Sequence, residues 1–227
     1  APHGSWRSPI TTELVVGETV GLGAPAIDGD TVYWNELRPS EGGRTVLVAR
    51  GPDGPVRDVS PSGFDVRSRV HEYGGGAYVV VDGVVYFSND GDRRVYRQRP
   101  GEAPHPITPE GPHRYADFAV EPGRGTLLCV REDHDASPEP RNDVVRLDPE
   151  SPGPGEVLAS GADFYAAPRP APDGRGLAFV AWDHPNMPWD ETSLVLVALD
   201  DTGRPGEVRT LARGESIVQP SWSPDGV

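Results

Sequence analysis

Two short segments concentrate the side chains of this chain that could act together chemically. His71-Glu72-Tyr73 sets an imidazole, a carboxylate and a phenol on consecutive residues, directly before Gly74-Gly75-Gly76. The stretch Trp182-Asp183-His184-Pro185-Asn186-Met187-Pro188-Trp189-Asp190-Glu191 holds two indoles, the only methionine, an imidazole and three acids. Aromatic anchors beside fixed carboxylates suit binding more than bond-making. The residues expected to face a substrate or a second domain are therefore His71, Glu72, Tyr73, Asp183, His184, Asn186, Trp189 and Asp190. A loop that packs only on its own blade and on a neighbouring domain would have the same composition, and both readings stand at this point.

A catalytic apparatus is not found. A serine hydrolase of the α/β type needs Gly-x-Ser-x-Gly on a sharp strand-to-helix turn, and Gly4-Ser5 and Ser62-Gly63 are the nearest approaches. None of the six histidines forms a His-Glu-x-x-His pair. Glu132-Asp133-His134-Asp135 could offer carboxylates to a divalent cation, but it lacks the spacing of an EF-hand loop and runs into Ser137-Pro138-Glu139-Pro140. It is read as a solvated acidic loop. A phosphate cradle at Gly74-Gly75-Gly76 would need a helix after the glycines, whereas Ala77 to Val81 reads as a strand. The glycines are then expected to give a tight turn or room for another chain to approach. Cys129, in the apolar run Thr126-Leu127-Leu128-Cys129-Val130, is read as a buried structural thiol, and as the only cysteine it excludes an internal disulfide. No cofactor and no metal are expected.

The elements that must position these segments are strands. No Gly- and Pro-free stretch of eleven or more residues carries the apolar spacing of a helix, i, i+3, i+4, i+7. Instead, Ala26 to Trp34 and Ala77 to Phe87 each read as strand, Asp-Gly turn, strand, with Asp28-Gly29 and Asp82-Gly83 expected to take positive φ. The unit returns at Arg169 to Val180 around Asp173-Gly174, at Pro220 to Gly226, and in weaker form at Phe118 to Leu128. Third strands follow at Thr45 to Ala49, Arg94 to Arg97, Asp143 to Leu147 and Ser193 to Leu199, and a fourth at Val208 to Leu211. A recurrence of about 40 to 55 residues in such units predicts propeller blades of four strands each. The 28 glycines and 26 prolines are turn punctuation in this scheme.

The expected fold is all-β: a β-propeller of about four four-stranded blades, over 24–60, 70–110, 115–160 and 163–213, with the start of a fifth at 217–227. Because the chain stops at Val227 on a turn, it is expected to be a piece of a longer propeller of seven or eight blades.

The formal charge of −14, with every base an arginine, argues against nucleic acid or an anionic membrane as partner. Ala1 to Pro9 has neither the charged nor the apolar region of a signal peptide, and no run is long enough to span a membrane. Cytoplasm is the expected location.

Several stretches resemble the prolyl oligopeptidase family, in its acylaminoacyl-peptidase or dipeptidyl-aminopeptidase-like branch. They are Gly4-Ser5-Trp6-Arg7-Ser8-Pro9-Ile10, Tyr33 to Arg44, His71 to Gly76, the Trp182 to Asp190 loop and Trp222-Ser223-Pro224-Asp225-Gly226. The Ser-Pro-Asp-Gly turn is common to many propellers, whereas the Trp182 to Asp190 loop and the Tyr33 to Arg44 stretch are far more specific. The resemblance implies a serine peptidase whose propeller gates and sizes peptides for an α/β-hydrolase domain carrying the Ser-Asp-His triad. No triad residue maps onto this chain, so the implied partners are that missing domain and peptide substrates. The Asp-Gly repeats alone would equally fit a stand-alone TolB-like propeller acting as a binding scaffold.

Overall fold

The structure is a computed structural model that describes residues 2–12, 19–136, 138–223, 225 and 226. Its strands form four sheets, each a simple antiparallel meander of four in chain order. The first holds β1 (Gly21–Asp28), β2 (Thr31–Arg38), β3 (Arg44–Arg50) and β4 (Arg57–Asp58), and the second β5 (Tyr78–Val81), β6 (Val84–Ser88), β7 (Val95–Gln98) and β8 (His105–Pro106). The third holds β9 (His113–Val120), β10 (Leu127–Asp133), β11 (Arg141–Leu147) and β12 (Glu156–Ser160). The fourth holds β13 (Phe164–Pro170), β14 (Gly176–Trp182), β15 (Thr192–Leu199) and β16 (Pro205–Glu215). The first strands of successive sheets adjoin one another, β1 beside β5, β5 beside β9 and β9 beside β13. Side-by-side first strands are the inner edge of a radial, bladed arrangement.

Three apolar cores lie between consecutive sheets. Tyr33, Leu47 and Ala49 pack against Tyr78, Val85 and Phe87 between the first and second. Tyr86, Val95 and Ile107 meet Tyr115, Leu127, Cys129 and Val145 between the second and third. Leu128, Val130 and Val144 meet Tyr165, Leu177, Phe179 and Val197 between the third and fourth. The period of two is visible in β10: Leu127 and Cys129 enter one core, Leu128 and Val130 the next. A strand buried on both faces must be apolar at every position, which accounts for the unbroken run there. Cys129 is fully buried, and that burial raises its thiol pKa far above the ordinary range.

The turns show where local chemistry decides. Asp82 and Gly83 join β5 to β6 with φ of 51° and 75°, the left-handed pair that a two-residue hairpin requires. The β1–β2 hairpin turns one residue later than expected. Its last pair is Asp28↔Thr31, so Gly29 and Asp30 are the turn residues, and only Gly29 of the two has positive φ. Asp28 is instead engaged by the next blade: its carboxylate accepts the backbone N–H groups of Asp82 (3.1 Å) and Gly83 (2.6 Å). Around Asp173-Gly174 a four-residue turn, 172–175, is closed by the Ala171 N–H donating to Gly176 C=O. Glu121 and Thr126 close an equivalent four-residue turn.

After β16, residues 216–223 form no strand, and Pro224 and Val227 of the expected fifth unit lie outside the described residues. Trp222 lies on the fourth sheet, its indole N–H donating to Arg169 C=O at 2.9 Å.

Candidate functional site

The segment after β4 and the β14–β15 loop converge on one cavity of about 290 Å³, whose walls include His71, Glu72, Glu132, Asn142, Phe164 and His184. What brings His71 here is a buried carboxylate. Glu132 accepts the His71 backbone N–H at 3.0 Å, Arg114 Nη1 at 3.3 Å, and lies 2.6 Å from His134 Nε2. Glu132 and Arg114 face each other directly in the β9–β10 ladder. The expected acidic loop at Glu132 to Asp135 is thus corrected. Glu132 and Asp133 are the last residues of a strand, and Glu132 is only 4% exposed. A strand end reads as a loop when its polar residues are satisfied by partners distant in sequence.

Aromatic rings enclose the His71 imidazole. Phe164 and Trp182 meet it edge-on at centroid distances of 5.4 and 5.2 Å, and Tyr73 lies at 5.6 Å. Burial among these rings lowers the His71 pKa, against the opposing pull of Glu132 and Asp117. Burial thus favours the neutral form of the imidazole. Its Nε2, and the Oδ1 of the nearby Asn142, make no hydrogen bond of good geometry among the described residues, although Asn142 acts on the ring as a side-chain partner. Unsatisfied buried polar atoms are rare in folded proteins and mark places where a ligand or water completes the bonding. Glu72 receives Arg114 Nη1 at 2.6 Å, and that bond holds its carboxyl below the usual range.

A reciprocal clasp sets the β14–β15 loop. Asp183 Oδ1 accepts the Asp163 N–H at 2.7 Å, while Asp163 Oδ2 accepts both the N–H (2.9 Å) and the Nδ1 (2.8 Å) of His184. These bonds lower the Asp163 pKa, the backbone donor first and the ring second. The loop then closes on itself: Asn186 N–H donates to Asp183 C=O, and Asp190 Oδ2 accepts the Met187 N–H at 3.0 Å. His71, Glu72 and His184 therefore come together on one wall. Asp183 acts behind it, Tyr73 borders it through His71, and Asn186, Trp189 and Asp190 are not among its lining residues. Trp189 stands 65% exposed on this pinned loop.

Sequence reasoning missed Glu132, Arg114, Asn142, Asp163 and Phe164. The one available signal was that Arg114 and Glu132 lie in polar strand ends, His113-Arg114 and Arg131-Glu132-Asp133, attached to apolar runs. The Gly74-Gly75-Gly76 reading is met within the chain itself: a Cβ on Gly75 would stand 2.8 Å from Asp117 Oδ1, and Gly76 N–H donates to that same oxygen at 2.6 Å. Among the described residues, no helix is long and apolar enough to cross a membrane, and no three His, Cys, Asp or Glu side chains are grouped to hold a metal ion.

Four radially arranged antiparallel sheets with shared cores define this chain as β-propeller. No family model matches it, and no match is found among curated proteins. Solved structures do match. A puromycin-hydrolyzing peptidase of Mycobacterium tuberculosis is 38% identical with a TM-score of 0.84, over 95% of this chain and 36% of that one. Puromycin hydrolase is 34% identical with a TM-score of 0.88, over 100% of this chain and 38% of that one; a mutant of it has been solved in complex with PGG. Over its length the chain is similar to the propeller region of these peptidases, which are of the prolyl oligopeptidase family. It spans a little over a third of the length of these peptidases. A putative TolB from Agrobacterium tumefaciens, 20% identical with a TM-score of 0.55 over 87% of this chain and 68% of that one, shares the fold alone.

Proposed function

We propose that this chain is the non-catalytic propeller region of a serine peptidase, and that it selects which peptides reach a nucleophile on a hydrolase domain outside residues 1–227. The observation that carries this reading is the convergence of the His71–Glu72 segment and the His184 loop on one cavity. The pinned loop carries an exposed Trp189 beside it in sequence. Carboxylates of Glu72, Glu132, Glu139 and Asp163 accompany the walls, and an extended peptide is rich in the N–H donors that such acceptors take up. Asn142 Oδ1 offers one more acceptor with no bond of good geometry among the described residues. An exposed indole on a rigid loop supplies apolar area for a second domain or a substrate side chain at little entropic cost.

The division of labour is tested by fluorophosphonate labelling. In the full-length protein one serine outside residues 1–227 is expected to label, with no label on any serine within them. A labelled serine inside this chain overturns the reading.

A further inference from the structure

In a chain of formal charge −14, one cavity among the described residues gathers four arginines. It measures about 180 Å³, and its lining includes Arg67, Arg69, Arg93 and Arg114, with Asp90 as its one carboxylate. Asp90 answers only Arg69, at 3.2 Å. The guanidinium groups of Arg67 and Arg93 have no hydrogen-bond or ion-pair partner among the described residues. Arg114 uses Nη1 for Arg69 C=O, Glu72 and Glu132, and none of these bonds involves its Nη2 or Nε.

The arginines are not loosely strewn. An isolated bridge joins Val66 to Asn89, the Arg67 N–H donates to Ser88 C=O at 3.2 Å, and the Asp90 N–H donates to Asp65 C=O at 2.9 Å. Two backbone segments are thereby tied together, one delivering Arg67 and Arg69, the other Arg93. Arg93 itself sits at φ 64°, a left-handed conformation costly for a residue with a Cβ. Arg67, Arg69 and Arg93 are exposed, so solvent screens much of their mutual repulsion, and an anion seated between them would lower it further. Planar guanidinium forks match a carboxylate with paired N–H···O bonds.

We propose that this cavity binds the terminal carboxylate of a short peptide. The assignment rests on the peptidase reading above for the identity of the anion's bearer. Arg114 supplies the geometric argument, because its guanidinium is shared. Nη1 is held by Glu72 and Glu132 of the acidic cavity, while the same side chain lines the cationic one. Arg114 thus lines one cavity and bonds two residues that line the other. A peptide crossing Arg114 would leave its backbone N–H groups near carboxylates and its negative end among arginines. Such a site would favour peptides short enough to present their carboxyl end there.

The test uses the full-length protein with triglycine and triglycine amide, which differ only in the terminal charge. Isothermal titration, with product analysis alongside, is expected to show the acid binding roughly tenfold tighter than the amide, since bonds to a charged group are the stronger ones. The double variant Arg67→Gln/Arg93→Gln, whose side chains carry no structural bond, is expected to keep its melting temperature and amide affinity and to lose the preference for the acid. Equal wild-type affinities for acid and amide overturn the proposal, as does a double variant that retains the preference. Inorganic phosphate binding the wild type as tightly as triglycine would assign the cavity to a free oxyanion and also overturn it. Preferential binding of the acid without hydrolysis of either peptide would uphold the cavity and remove the peptidase reading. Hydrolysis with no acid preference would do the reverse.

Discussion

The backbone N–H of His71 donates to the carboxylate of Glu132 across 61 positions of sequence, at 3.0 Å. Through this bond a strand end of the third sheet holds the segment that leads into the second sheet, and the lining of the cavity depends on it. Glu132 is buried and also meets Arg114 and His134. Removing it leaves the His71 backbone donor without its acceptor and takes one of three acceptors from the Arg114 guanidinium. Glu132→Ala is expected to destabilise the fold by about 3–5 kcal/mol. Glu132→Gln, which keeps an acceptor but not the charge, should cost about 1–3 kcal/mol. Urea denaturation followed by tryptophan fluorescence measures both. An alanine variant within experimental error of the wild type would show that His71 is held by other means.

The lowered pKa of His71 makes stability depend on pH. The unfolded imidazole titrates near about 6.5 and the folded one below it, so the unfolded state binds more protons in this window. The contribution is complete above pH ~6.5 and is lost as pH falls from there toward the folded pKa. Glu132 and Asp117 face the ring and moderate the shift. His113 adds to the same trend, lowered by burial and then by Arg131. Glu72 and Asp163, with lowered carboxyl pKa values, lose their contributions only at more acidic pH. The urea midpoint should therefore fall between pH 7 and pH 5.5. His71→Asn tolerates the left-handed φ of 56° and should show a shallower fall. Parallel profiles for the two proteins would remove His71 as the source.

Gly75 is constrained by space rather than by φ. A Cβ there would lie 2.8 Å from Asp117 Oδ1 and 3.0 Å from Ala116 Cβ. Asp117 cannot easily withdraw, since Oδ1 accepts the Gly76 N–H and Oδ2 the Ala167 N–H at 2.9 Å, linking three consecutive blades. Gly75→Ala is expected to cost about 1–3 kcal/mol by overpacking. Gly23→Ala, where a Cβ meets nothing within 4 Å, should stay within about 0.5 kcal/mol of the wild type. Thermal melting of the pair distinguishes crowding from a general intolerance of substitution.

Trp189 and Glu72 separate function from folding. Trp189 is largely exposed, and the Glu72 side chain is 74% exposed in its pair with Arg114. Trp189→Ala should change stability by no more than about 0.5 kcal/mol, and Glu72→Ala by no more than about 1 kcal/mol, the range of exposed ion pairs. In the full-length protein each is expected to lower kcat/KM for peptides severalfold. A loss of stability with unchanged kcat/KM would make both loops purely structural.

Much of the architecture was legible in local chemistry. Asp82-Gly83 between two β-branched and aromatic runs specifies its own hairpin because the turn's positive φ values select those residue types. The continuous run Leu127 to Val130 announces a strand buried on both faces, and the recurrence of such units announces blades. The Gly74-Gly75-Gly76 run signalled close approach without naming what approaches. That neighbour, Asp117, lies 41 positions from Gly76, and the partners that make the site are also distant: Arg114 lies 42 positions from Glu72, Glu132 61 from His71 and Asp163 21 from His184. A buried carboxylate such as Glu132 is stable only because donors from its own sheet and from the segment before the second sheet satisfy it, and a one-dimensional pattern records polarity without recording partners. Sequence by itself determined strands, turns and blades, each governed by neighbours within a few residues. Tertiary structure alone decided which charges are buried, which pair, and that four arginines share one cavity, because those depend on distances that only the packing of blade on blade brings about.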